Sequence, residues 1–353
     1  MTQNDLYHYI KNNALLLGFN DISVTDTETK SINLKYQNSI ENQHHAGMDY
    51  LIKNMKLRAN PSKLVENTKS IIIVRMDYLP PNHRIGETLR DKNQAYIARY
   101  ALGRDYHRII RKRLKQLALK IEEKVGPFTW RPFADSAPVY EKPFAAKAGI
   151  GWQGKNTLII NRQAGSYFFL GALYTSLELP IATPAVDHCG SCTACMDICP
   201  TQALVAPYQL DSRRCISYWT IEHKGSIPIT IRKQMGNRVF GCDDCQLICP
   251  WNKFAKAATE QAFLPRHKLD ASTLGELFSW DEATFLRKTE GSAIRRTGYQ
   301  GWLRNLAIGI GNAPYSPENI QKLKKQYDKA SLVTQEHIDW AISNIKINRL
   351  NII

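Results

Sequence analysis

The run Cys189-Gly190-Ser191-Cys192-Thr193-Ala194-Cys195-Met196-Asp197-Ile198-Cys199-Pro200, followed by a lone Cys215 and then by Cys242-Asp243-Asp244-Cys245-Gln246-Leu247-Ile248-Cys249-Pro250, holds all eight cysteines of the 353-residue chain. Thiolates are soft ligands and select iron–sulfur clusters, zinc or copper(I) over hard cations. Spacing decides among these.

Cys-x2-Cys-x2-Cys-x3-Cys-Pro is the bacterial ferredoxin arrangement, in which three thiolates hold one cubane and the fourth crosses to the other. Cys215, Cys242, Cys245 and Cys249 repeat that logic. The expected sets are Cys189, Cys192, Cys195 and Cys249 for one [4Fe-4S] cluster, and Cys199, Cys215, Cys242 and Cys245 for the second. Two zinc sites would want paired Cys-x2-Cys knuckles, which the three-cysteine run and the two Cys-Pro endings do not supply. Disulfides fit poorly, because this spacing without a secretion signal points to metal or redox chemistry. The departure from the ferredoxin pattern is the long gap between Cys215 and Cys242, which adds structure beside a cluster where something is expected to dock.

Working outward, the length allows two or three domains. Hydrophobic residues make up 43%, yet no run of about twenty apolar residues occurs, so no membrane helix is expected. The start, MTQNDLYHYIKNNALLLGF, is too polar for a secretory signal, and a cytoplasmic location is expected. The net charge of +15 points to a polyanionic partner, although a basic enzyme can be merely soluble.

Asp5 to Phe19 has helical periodicity ending at Gly18, and Gly47 to Arg58 resembles a second, short helix. Ser70 to Val74 is a β-branched run suited to a buried strand covered on both faces. Alternating helices and strands predict an α/β or α+β N-terminal domain. Between Arg99 and Arg131 there are ten Lys/Arg against three Asp/Glu. Ile110, Leu114, Leu117 and Ile121 mark the buried face of a helix whose other face carries Arg108, Arg111, Lys112, Lys115 and Lys120. That face is either solvated or a rail for phosphates. Upstream, Asp105 is a candidate helix cap beside Tyr106 and His107.

Thr129 to Phe133 is expected as a strand, with Ala134-Asp135-Ser136-Ala137-Pro138 as the loop at its end. Asp135 is either a catalytic acid or a cap for the helix Val139 to Ala148. The glycine-rich Gly149-Ile150-Gly151-Trp152-Gln153-Gly154-Lys155-Asn156 matches neither a Walker loop nor a Rossmann fingerprint. Thr157 to Ile160 and Tyr167 to Leu170 predict a β-hairpin around an Asn161 to Ser166 turn, an apolar surface able to hold a flat cofactor. After Trp251, short helical periods run to the C-terminus, as in a small helical-repeat unit or a helical cap.

The motifs Trp130-Arg131-Pro132-Phe133-Ala134-Asp135-Ser136-Ala137-Pro138, Ala148-Gly149-Ile150-Gly151-Trp152-Gln153-Gly154-Lys155-Asn156-Thr157-Leu158 and Gly165-Ser166-Tyr167-Phe168-Phe169-Leu170-Gly171 carry a resemblance. With the cysteine runs and Leu303-Arg304-Asn305-Leu306-Ala307-Ile308-Gly309-Ile310-Gly311-Asn312, the chain resembles the epoxyqueuosine reductases nearly end to end. In the last motif Gly309-Ile310 stands where that family usually has an alanine-leucine pair.

The resemblance implies an α+β architecture in three parts: an α/β cobalamin-binding catalytic domain over residues 1–180, a ferredoxin-like two-cluster domain over 181–255, and a HEAT-like, tRNA-binding helical domain over 256–353. It implies electrons passing from the clusters to a cobalamin without a protein histidine as lower ligand, low-valent cobalt attacking the epoxide-bearing ring, and Asp135 as proton donor. Donation at neutral pH would need a raised pKa, from burial against Phe133 or the corrin. It further implies cobalamin contacts from Arg58, Asp135, Ile159, Leu170, Cys215, Cys242 and Asp243. Tyr106 and His107 are expected beside the acid, and Ser217, Arg296 and Arg304 at the tRNA. The partners implied are a tRNA anticodon stem-loop and an external electron donor, with the enzyme a monomer. Two other readings stay open: an electron-transfer module with no substrate, and a cobalamin-dependent enzyme for a small molecule, such as a dehalogenase relative.

Overall fold

The apolar run at Ser70 extends to Asp77 as a strand buried along its whole length. In the computed structural model, which describes residues 1–81 and 84–350, the strands in chain order are β1 (Asp21–Thr25), β2 (Ser70–Asp77), β3 (Tyr96–Ile97), β4 (Trp130–Phe133), β5 (Trp152–Gln153), β6 (Ile159–Ile160), β7 (Phe168–Thr175), β8 (Leu204–Ala206), β9 (Gln209–Leu210) and β10 (Arg238–Phe240). The main sheet has the order β1-β2-β7-β4 with every pair antiparallel. The N-terminal part is therefore α+β.

Helices nonetheless cover both faces, which explains why β2 shows no polar alternation. Ile72, Val74 and Met76 pack under Gln3–Leu16 and Tyr106–Val125, in a core that includes Ile110, Leu114, Leu117 and Ile121. Ile71 and Ile73 face the opposite way, against Phe144 and Ala145 of the helix Glu141–Lys147. Side chains alternate between faces along a strand, so one apolar run feeds two cores. Burying each of these aliphatic side chains contributes about 1.5–3 kcal/mol.

Two local expectations change. The segment Gly47 to Arg58 forms two single helical turns, Tyr50–Lys53 and Met55–Arg58. The predicted hairpin does not form as a ladder: β6 pairs with β5, while β7 enters the main sheet, leaving one bridge between Asn161 and Gly165. The glycine at 151 permits the β5–β6 pairing. A Cβ there would lie 2.3 Å from the Ile160 carbonyl, so only glycine lets β5 approach β6 this closely.

The chain from Cys215 to Cys242 forms a π-helical turn (Tyr218–Glu222), a helix (Ile229–Met235) and β10. β10 runs parallel to β3, tying this insertion to the N-terminal part. The C-terminal helices, including Gly298–Asn312 and Leu332–Leu350, pack around Trp302, Leu303 and Leu306. Gly309 sits where a Cβ would meet the Leu274 side chain at 2.6 Å, so glycine admits Leu274. Among the described residues no helix is long and apolar enough to cross a membrane.

Candidate active site and cluster-binding region

Strand β4 ends at Phe133, and the chain turns at Asp135 through a left-handed conformation (φ +54°). Aspartate tolerates this region better than most residues. The turn is pinned from behind, where the Asp135 N–H donates to Glu141 Oε1 at 2.8 Å. Asp135 therefore does not cap Glu141–Lys147, whose first turn lies beyond Tyr140.

The Asp135 carboxylate accepts a hydrogen bond from the Tyr106 hydroxyl at 2.7 Å and faces His107 Nε2 at 3.3 Å. His107 Nδ1 lies 2.5 Å from Asp105 Oδ1, and Asp105 also accepts the His107 N–H, so it caps the helix Tyr106–Val125 while gripping its first imidazole. Tyr106 is held flat, stacked on Phe169 of β7 at 4.0 Å and on His107 at 4.1 Å. An acid–imidazole–acid row thus crosses the end of the sheet.

Burial pushes the His107 imidazole down, but hydrogen bonds to Asp105 and Asp135 and their charges push harder, and its pKa rises to about 9. The atoms crowded around Asp135 push its carboxyl up. Hydrogen bonds from His107 and Tyr106, with the charges of His107 and Lys142, outweigh this and hold it below the usual value. Because the Asp135 side chain is 60% exposed, the upward push is weaker than that crowding implies, and the downward direction stands. This departs from the raised acid expected from sequence: at rest the proton sits on His107. Glu141 is pushed up, by burial first and by the Asp135 charge next.

Lys142 is within electrostatic reach of Asp135 and also of Cys245 and Cys215, thiols of the second expected set. Cys195 is raised by burial and then by the charges of Cys249, Cys189 and Cys192. Cys245 is raised by burial, then by Cys215, Asp243, Cys199 and Cys195, so thiols of both expected sets lie within electrostatic reach of it. Among the described residues no three His, Cys, Asp or Glu side chains converge tightly enough to hold a single metal ion.

The glycine-rich loop serves these thiol loops. Lys155 Nζ donates to the carbonyls of Gly190 (2.6 Å) and Cys192 (3.0 Å), Asn156 Nδ2 donates to the Cys245 carbonyl (3.2 Å), and the Trp152 indole N–H points at Cys189 Sγ (3.5 Å). Sequence reasoning missed Lys155, Asn156 and Glu141. The only signal was a lysine-amide pair following glycines with no phosphate-loop spacing.

Several expected contacts are redirected. Asp243 is 3% exposed and accepts from the Tyr96 hydroxyl (2.6 Å) and the Arg99 N–H (2.8 Å), so its carboxylate ties the cluster loop to β3. Arg304 is 1% exposed; its guanidinium donates to the carbonyls of His223, Gly225 and Trp219 and to Asn305, so it clamps the insertion and cannot reach RNA. Ile159 is buried in the core beside Phe144. Arg58 is buried too, donating to the Tyr36 hydroxyl and the Leu51 carbonyl.

The Ser217 hydroxyl and N–H bond the Cys215 sulfur, whose thiol burial pushes up. Cys242 Sγ lies 2.7 Å from Asp244, itself paired with Arg238. Arg296 is exposed, paired with Glu222 of the insertion, set over the Tyr50 ring, and within electrostatic reach of Asp135. Leu170 is half-buried on β7. Because β4 pairs only as far as Phe133 with Ala172, β7 at Leu170 has no strand on the side where Asp135 turns away.

A family model described as "Epoxyqueuosine reductase QueG, DUF1730" matches residues 58–136, and one for a 4Fe-4S double cluster binding domain matches residues 188–252. The chain is 52% identical to the epoxyqueuosine reductase of Pseudomonas aeruginosa, over 92% of this chain and 91% of that protein. It is 49% identical to that of Escherichia coli K12, over 99% and 91%. A crystal structure of epoxyqueuosine reductase with an epoxyqueuosine-modified tRNA-Tyr stem loop superposes with a TM-score of 0.83 at 25% identity, covering 98% of this chain and all of that one. The Streptococcus thermophilus epoxyqueuosine reductase structure gives 0.86 at 26% identity, covering 96% and 90%.

Proposed function

The chain belongs to the epoxyqueuosine reductase family, and on that footing we propose that it reduces epoxyqueuosine to queuosine in the anticodon loop of tRNA, as a cytoplasmic monomer using two [4Fe-4S] clusters and cobalamin. The observation that carries the reading is the meeting of a proton source and an electron source. Asp135 joins the row Asp105–His107, while Lys142 is within electrostatic reach of both Asp135 and the thiols of Cys215 and Cys245.

We assign Cys189, Cys192, Cys195 and Cys249 to one cluster and Cys199, Cys215, Cys242 and Cys245 to the other. The edge of β7 at Leu170, which β4 leaves unpaired, fits cobalamin: main-chain N–H and C=O groups there suit the amide arms of a corrin. When bound, the cofactors supply single electrons and a nucleophilic low-valent cobalt. Residues 1–180 form the catalytic part, 181–255 the cluster part, and 256–353 a helical, HEAT-like part that helps hold RNA.

Removing an epoxide oxygen as water takes two electrons and two protons and leaves an alkene. The opening oxygen needs a proton donor. Asp135 is that donor, Tyr106 orients its carboxyl, and His107 keeps the proton until it is needed. Covering the exposed Asp135 with substrate and corrin removes water and disfavours the separated charges, which drives the proton from His107 to the carboxylate. Arg296 lies on the rim for the RNA, and the exposed face of Arg108, Arg111, Lys112, Lys115 and Lys120 offers contacts to phosphates.

Anaerobically purified protein should hold about eight iron atoms and one cobalamin and convert epoxyqueuosine tRNA with a strong reductant. Asp135→Asn should keep both cofactors and lose roughly a hundredfold or more in turnover. Full activity in that variant removes Asp135 from the mechanism.

A further inference from the structure

A groove of about 900 Å³ opens beside the cluster-binding chain, and Asp135 is not among its lining residues. It is lined by Arg162, Pro250, Trp251, Lys253, Phe254 and Lys256, none of them a residue of the proton-bearing row. Its cations carry no carboxylate among the lining residues. Arg162, Lys253 and Lys256 make no ion pair among the described residues, although the charge of Lys256 is felt at Asp77. Apolar side chains on either side of Cys249 are open to solvent, with Ile248 42% and Phe254 40% exposed.

The groove is coupled to one set of thiols. Pro250 and Trp251 directly follow Cys249. Trp251 meets Trp152 edge to face at 5.1 Å, and the Trp152 indole N–H points at Cys189 Sγ; His188 completes the aromatic group. Cys192, of the same set, is exposed, whereas Cys215 and Cys245 are within electrostatic reach of Lys142. Electron transfer falls steeply with distance, so a donor must seat close to the cluster it reduces.

We propose that this groove is the docking site for a small acidic one-electron carrier protein, an iron–sulfur or flavin protein, which reduces the cluster of Cys189, Cys192, Cys195 and Cys249. The assignment rests on the reductase reading, since it names the source of its electrons. Two carriers are each oxidised by one electron per turnover; the pair of electrons and two protons convert epoxide to alkene and water. A cationic, carboxylate-free rim steers an acidic partner, and the exposed aromatic and proline surface supplies the desolvated centre of a transient interface. RNA would also be drawn to the cations, but an RNA contact has no need to lie against cluster ligands.

The test uses cofactor-loaded full-length protein, reduced flavodoxin as the carrier and dithionite as a small donor. In the triple variant Arg162→Glu, Lys253→Glu, Lys256→Glu, the rate of cluster bleaching by flavodoxin should fall roughly tenfold or more, with a weaker dependence on salt. Bleaching by dithionite, iron content and tRNA affinity should stay within about twofold of the parent. The neutral variant Lys253→Gln, Lys256→Gln should fall between the two and guards against a folding defect. An unchanged flavodoxin rate, an equal loss with dithionite, or a loss of tRNA affinity each overturns the proposal. Cluster bleaching is read without substrate, so a protein that fails to turn over epoxyqueuosine tRNA refutes the activity and leaves the groove still judged by its own rates.

Discussion

Replacing His107 by glutamine tests whether the acid at Asp135 depends on a proton stored next door. The imidazole is raised from 6.5 to about 9. At about 1.36 kcal/mol per unit this is at most roughly 3.4 kcal/mol, and about 1–2 kcal/mol once solvent screening at the exposed Asp135 is allowed for. The sign follows from the direction. A raised imidazole stabilises the folded protein fully below pH 6.5, and that contribution fades as pH rises through about 9. Turnover should show the same limb, flat at neutral pH and falling as pH passes about 9. In His107→Gln the neutral-pH rate should drop by about a hundredfold, and the alkaline limb should move down towards the pKa of Asp135 alone. Asp105→Asn is the milder partner, because it removes the largest contribution raising His107 and leaves the imidazole in place; its limb should move down by a smaller amount. The assay is kcat against pH for cofactor-loaded enzyme with saturating epoxyqueuosine tRNA. Identical alkaline limbs in the parent and His107→Gln would refute the proton store.

The clamp on the cluster loop and the clamp on the insertion make separate predictions. Lys155→Met removes two charge-assisted bonds to carbonyls around Cys189 and Cys192, each contributing about 1.5–3 kcal/mol. Iron should fall from about eight towards about four atoms per chain, with one cluster signal kept in electron paramagnetic resonance; eight retained atoms resistant to chelator would show the clamp to be dispensable. Arg304→Ala strips the insertion of its bonds to three carbonyls and should cost about 3–5 kcal/mol. Lysine should not rescue it because an ammonium cannot replace the fork. An unchanged melting temperature together with a shallower salt dependence of tRNA binding would place Arg304 at the RNA instead.

Local chemistry was legible in the chain. Thiol spacing marks cluster ligands wherever the loop sits, because a Cys-x2-Cys turn brings neighbouring thiolates together while the cysteine before each proline crosses to the other cluster. The helix Tyr106–Val125 shows its buried face through a 3.6-residue period, and β2 shows its burial on both sides by having no polar alternation. Those signals come from backbone geometry and are the same in any surroundings.

What the tertiary structure alone decided is which distant groups a side chain meets. Asp243 and Arg304 sit in motifs that read as ligand contacts, yet one turns to Tyr96 and Arg99 and the other to the carbonyls of the insertion. The glycine-rich loop clamps the thiol loops because Lys155 and Asn156 arrive beside chain some 35 to 90 residues away. Asp135 was visible as a carboxylate at a strand end, but its ionisation was set by His107 and Tyr106, 28 and 29 residues earlier. The physical reason is that spacing fixes residue type and face, whereas a pKa or a hydrogen bond depends on direction and distance in space, which exist only once the sheet, the cluster loops and the C-terminal helices have packed.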